Sequence, residues 1–217
     1  MMEIRRCETR LDDLTIAYNH YYSDSDEICF MLSGAGYAYD HPYFYFSRMT
    51  LLKRKVNVIE IQYVSDDLFS MPDEQGDAEM SRRIEAVIAD VLRARSYQTI
   101  HFIAKSLGTV PLVSMMHRGM FPEARVVLLT PLLKDPAIVE AIANSRHYGL
   151  LVIGDHDRQF SPEALERCGN SNLVLEQIKG ANHSLDIDFD VKPSLQVLGQ
   201  IMQRIEDVLF TVTVKKN

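Results

Sequence analysis

The chain contains no tryptophan and only three cysteines, Cys7, Cys29 and Cys168. These lie far apart and form no C-x-x-C pair, so neither a zinc knuckle nor a disulfide framework is indicated. Basic residues are outnumbered: 23 Lys and Arg against 30 Asp and Glu give a net charge of -7. A nucleic-acid-binding face needs an excess of positive charge, which is missing here. No apolar run approaches the roughly 20 residues of a membrane span. The charged opening stretch Met1–Arg10 holds no hydrophobic targeting segment. A cytoplasmic protein without nucleic-acid or membrane partners is the expectation. Neither G-x-G-x-x-G nor G-x-x-x-x-G-K-[ST] occurs, so the phosphate-cradling loops of dinucleotide, flavin or nucleotide binders are not found, and no cofactor is expected.

What the chain does have is core. Hydrophobic residues make up 47% of its 217 positions, enough to bury an interior without staples. Short apolar runs alternate with helical patterns. Strands are read at 3–8 and 14–18 around a turn at Leu11-Asp12-Asp13, then at Ile28–Leu32, Val56–Val64, Thr99–Ile103, Arg125–Pro131, Gly149–Gly154 and Leu173–Ile178. Helices are expected at Tyr43–Lys53, Asp77–Arg95, after Ser106, at Pro136–Asn144, from Ser161, and at Pro193–Leu209. Ser65–Gly76 reads as an exposed loop, and the tail Thr211–Lys216 as either a frayed end or an edge strand. Alternating strands and helices without a linker predict one α/β domain over 1–217, a doubly wound, mostly parallel sheet flanked by helices.

In such sheets the functional groups collect at the carboxyl ends of the strands. Those ends carry Ser33-Gly34-Ala35-Gly36, Ser106, Asp155-His156-Asp157 and Gly180-Ala181-Asn182-His183. Ser106 sits in Ala104-Lys105-Ser106-Leu107-Gly108, between a buried strand and a helix, with small residues two before and two after it. That is the context a sharp nucleophile turn requires. A serine needs a base, and the base needs a carboxylate to orient it. His183 is the candidate base and Asp157 the candidate acid, with Asp155 its rival. The oxyanion donors would be the backbone N–H groups of Leu107 and Ala35. Tyr37 and Tyr39 are candidates for a substrate pocket. Lys105 could attract an anionic substrate but is expected to be solvated. Asp155, His156 and Asp157 are too close in sequence to converge on one ion, so no metal is expected.

These segments resemble the α/β-hydrolase superfamily. Ala104–Gly108 resembles its nucleophile elbow, with alanine at the commoner first glycine. Ser33–Gly36 resembles its His-Gly-x-Gly oxyanion loop, with serine in place of histidine. Gly154-Asp155-His156-Asp157 resembles its Gly-x-x-Asp, and Gly180–His183 its histidine loop. The resemblance is to small, dienelactone-hydrolase-like members, and only Thr130–Tyr148 lies where larger members carry a cap domain. It implies a serine hydrolase acting on a small-molecule acyl substrate. The alternative is a catalytically silent protein of the same fold that binds a small ligand or partner. Oligomeric state is left open.

Overall fold

The structure is a computed structural model, and it describes residues 3–211. The sheet has eight strands: β1 (Glu3–Leu11), β2 (Leu14–Tyr22), β3 (Glu27–Leu32), β4 (Asn57–Ile61), β5 (Thr99–Lys105), β6 (Arg125–Leu129), β7 (Gly149–Gly154) and β8 (Leu173–Ile178). Their order is β1-β2-β4-β3-β5-β6-β7-β8. β1 and β2 form an antiparallel hairpin, and β2 lies antiparallel to β4. Every pairing from β4 to β8 is parallel. The hairpin is longer than expected. It pairs in register down to Leu11 opposite Leu14 and turns on Asp12 at φ 53°, a left-handed conformation that Asp tolerates.

The continuous apolar runs are explained by burial on both faces. In β3, Phe30 and Leu32 point to one core while Cys29 and Met31 point to the other. In β5, Phe102 and Ala104 oppose Ile103 in the same way. The first face is covered by α3 (Asp73–Ala94), α4 (Thr109–His117), α5 (Pro136–Ala143) and α6 (Pro162–Cys168). The second is covered by α1 (Pro42–Lys53) and α7 (Val191–Phe210). Only α5 separates β6 from β7, so no cap domain rises over the sheet.

Several element boundaries differ from expectation: the strand read at Val56–Val64 spans only Asn57–Ile61, and that read at Arg125–Pro131 ends at Leu129. The loop read at Ser65–Gly76 contains a short helix α2 (Asp66–Phe69) and the first turn of α3. Acidic Asp73 and Glu74 favour that helix start. Gly76 serves packing rather than a break, because a Cβ there would come within 3.1 Å of the Leu68 carbonyl oxygen of α2. Helix α7 starts at Val191, ahead of Pro193, because the Asp190 side chain accepts the Lys192 N–H as its N-cap. In the tail read at 211–216, positions 212–216 lie outside the described residues. Among the described residues, no helix is long and apolar enough to cross a membrane.

Candidate active site

β5 delivers Ser106 at its carboxyl end. The serine takes φ 51° and opens a single 3-10 turn, Ser106–Gly108, that runs into α4. A non-glycine residue in this region is strained and needs a surrounding structure that holds it there. Gly108 is part of that structure. A Cβ at this position would meet the Leu32 carbonyl oxygen at 2.3 Å, so no side chain fits. The Thr109 hydroxyl donates to the Ser106 carbonyl at 2.6 Å and closes the turn. Gly34, in the loop after β3, passes beside the serine: a Cβ there would stand 3.2 Å from Ser106 Cβ.

His183 reaches Ser106 from the loop after β8. Its Nε2 lies 2.7 Å from Ser106 Oγ. Its Nδ1 lies 2.9 and 2.8 Å from the two carboxylate oxygens of Asp157. With the Nδ1 proton directed at that carboxylate, Nε2 is the acceptor for the serine hydroxyl. Asp157 Oδ1 also accepts the Gln159 N–H at 2.8 Å, and the Asp157 side chain is fully buried. Asp155, the rival acid, does something else. Its Oδ1 accepts the Gly180 N–H at 2.6 Å and so braces the histidine loop. Gly154 lets that loop approach, since a Cβ there would strike the Ala181 carbonyl oxygen at 2.0 Å. The Asn182 side chain shapes the far side, accepting the N–H groups of Ser184 and Asp186 at 2.8 and 3.1 Å.

Ala35 lies in the exposed turn that follows Gly34, and among the described residues its N–H has no acceptor. Leu107 follows Ser106 in the first helical turn, where leading N–H groups lack intrahelical acceptors. Tyr37 is half-buried and faces a cavity of about 430 Å³, bounded also by Tyr43, Ser184, Asp186, Val191 and Leu198.

Two expectations are corrected here. Tyr39 does not line a substrate pocket. It is buried, and its hydroxyl lies 2.9 Å from the Met31 carbonyl and 2.7 Å from that of Ile61 while accepting the Ser33 N–H at 3.2 Å. It pins the ends of β3 and β4 together. Lys105 is not solvated either; it is 1% exposed. Its ammonium donates to Thr130 Oγ1 at 2.8 Å and to the His183 carbonyl at 2.7 Å, and stands 4.7 Å from the centre of the Tyr37 ring. Burial pulls its pKa down to about 7, against the attraction of Asp157 and Asp186. Its place at the end of a mostly apolar strand, Thr99–Lys105, was the one slight signal. Thr130, buried and at φ 47°, carried none in the sequence.

No protein-family model matches the sequence, and none of the curated proteins does. Solved structures do match in shape. An esterase of Pyrococcus furiosus superposes with a TM-score of 0.71 at 12% identity, covering 96% of this chain and 94% of its own. Dienelactone hydrolase from Anabaena variabilis gives 0.71 at 12% identity, covering 96% and 99%. Est1E from Butyrivibrio proteoclasticus gives 0.66 at 14% identity, covering 92% and 98%. With its strand order, its serine turn after β5 and its helices on both faces, the chain has the α/β-hydrolase fold.

Proposed function

We propose that this chain is a serine hydrolase that cleaves a carboxylic ester, thioester or related acyl bond through an acyl-enzyme. One observation carries the reading: a carboxylate, an imidazole and a strained serine in an unbroken relay, with contacts of 2.8 and 2.7 Å. Ser106 Oγ attacks the acyl carbon while His183 Nε2 takes the hydroxyl proton. The carbonyl electron pair moves onto oxygen, and the N–H groups of Leu107 and Ala35 receive the resulting negative charge. Collapse expels the alkoxide or thiolate, which takes the proton from His183. Water then attacks the acyl-enzyme with His183 again as base, and Ser106 leaves with the proton. Asp157 stays ionised throughout, fixing the tautomer and stabilising the imidazolium.

The cavity beside Tyr37 supports a substrate class. Its border includes Ser184, the residue after His183, and Gly36 and Tyr37, from the same loop as the Gly34 that lies against Ser106. Pro42, Leu195 and Leu198 give it apolar walls, and Asp186 and Asp190 stand on its border. Two carboxylates repel an anionic substrate, and Lys105 is buried below rather than offered to it. The reading is an uncharged acyl substrate with an apolar group.

A panel of p-nitrophenyl esters tests both parts. Turnover is expected for neutral acyl groups and at least tenfold slower for acyl chains ending in a carboxylate. Ser106→Ala and His183→Ala should each abolish it. Hydrolysis that survives Ser106→Ala would sink the reading, and folded protein without turnover that binds the ester analogue would favour the silent alternative.

A further inference from the structure

Among the described residues Lys105 is the one buried cation beside the reacting residues, and the proposed reaction gives it no step. Its setting is unusual for a charge. Among the described residues it forms no ion pair, and its partners are a hydroxyl, a backbone carbonyl and an aromatic face. Burying a charge without a counter-ion is costly, and a leucine or methionine would fill the same strand end without that cost. The partners are what distinguish the site. Thr130 stands at the end of β6, His183 supplies the base, and Tyr37 belongs to the loop that carries Ala35. Lys105 itself precedes Ser106. One ammonium therefore joins the four segments whose relative positions decide whether Nε2 meets Oγ.

We propose that Lys105 is a positioning residue: its ammonium grips the His183 carbonyl and holds the imidazole against Ser106, while anchoring the Tyr37 loop and the end of β6 to the same point. The inference rests on the serine-hydrolase reading. The His183 side chain has one strong tether of its own, the Asp157 carboxylate on Nδ1. That contact fixes the ring's tautomer and orientation. Holding the backbone carbonyl of the same residue fixes the stretch of loop from which the ring reaches Ser106. The charge acts in the same direction, because Lys105 and the buried carboxylate of Asp157 attract each other. The other charged or titratable groups around it are Asp186, in the histidine loop, and the Tyr37 phenol.

The test is Lys105→Met, which keeps the volume and removes the charge and all donors. Turnover of a p-nitrophenyl ester is measured per competent site, counted by fluorophosphonate titration of the same sample. The expected result is a kcat about 10- to 100-fold lower, the scale of a slightly misplaced reacting group, with KM within about twofold of the parent. A residue that merely fills core would change the melting temperature and the number of competent sites but not kcat per site. A wild-type kcat per site in Lys105→Met therefore overturns the proposal and leaves the hydrolase reading standing. Absence of Ser106-dependent turnover in the parent protein overturns both. If Lys105→Met does not fold, Thr130→Val removes one of the two acceptors. It should lower kcat about two- to fivefold, the worth of one hydrogen bond, with KM unchanged. An unaltered kcat there also overturns the proposal.

Discussion

Two central strands each carry one buried charge in a mostly apolar run, and the two charges are treated in opposite ways. Glu60 in β4 is 2% exposed. It is paired with Arg48 from α1 and accepts further hydrogen bonds from Tyr21 at 3.2 Å and Asn19 at 3.3 Å. Its charge is neutralised on the spot, in a cluster that joins α1 to the β2–β4 side of the sheet. Lys105 in β5 is as deeply buried but forms no ion pair among the described residues, and its hydrogen bonds go to neutral groups. A charge matched by a counter-ion and donors is accounted for by folding. A charge without an ion-pair partner beside Ser106, His183 and Asp157 is accounted for by what those residues do. The difference between the two sites separates substitutions that should cost rate from those that should cost stability.

The largest expected effect is on the Lys105 side of that divide. Asp157→Asn should lower kcat about 10⁴-fold, because the amide presents the wrong partner to Nδ1. Asp155→Asn should lower it less than about tenfold, since Asp155 touches a backbone N–H and not the imidazole. Steady-state kinetics of the two variants side by side check this, and equal losses would blur the assignment of Asp157. On the other side, Arg48→Met strands the buried Glu60 carboxylate. It should cost about 3–5 kcal/mol of stability, read from urea unfolding, while kcat per titrated site stays at the parent value.

The pH dependence of stability sharpens the contrast. Lys105 falls from an ordinary 10.5 to about 7 on folding. Between those values the unfolded chain holds a proton there that the folded chain does not, so stability rises as pH goes up through that window. Below about pH 7 both states are protonated and the burial cost is felt in full. Urea unfolding at intervals from pH 6 to 10 should show this rise in the parent and a flatter course in Lys105→Met. The smallest effect is expected from Tyr39→Phe, about 1–3 kcal/mol, because it leaves the buried Ser33 N–H without its partner. Ester turnover by that variant should match the parent, since the Tyr39 hydroxyl meets only backbone groups.

Much of this molecule was legible in the sequence, and the parts that were not share a cause. The parallel core announces itself locally, because a strand buried on both faces is largely apolar. The serine turn does too, since the residue that must be small, Gly108, is adjacent in the chain. In the sequence Asp157 stands ahead of Asp155 only by its place further from the strand and by the Gly-x-x-Asp resemblance. What separates them is that one carboxylate meets an imidazole 26 residues away while the other meets Gly180 N–H. Tyr37 and Tyr39 read alike as aromatics in one loop, yet two positions turn one toward a cavity and the other into the core. Lys105 reads as any lysine at a strand end. Its burial is decided by Thr130, 25 residues on, and His183, 78 residues on. Local steric demands are written in neighbouring residues; the partners of a polar side chain are set by the fold.

Whether His183 activates Ser106 as a nucleophile is decided by fluorophosphonate treatment followed by peptide mass mapping. One adduct per chain is expected, on Ser106, formed slower by about a thousandfold or more in His183→Ala. An unmodified Ser106 in folded protein, or labelling indifferent to His183, would contradict that activation.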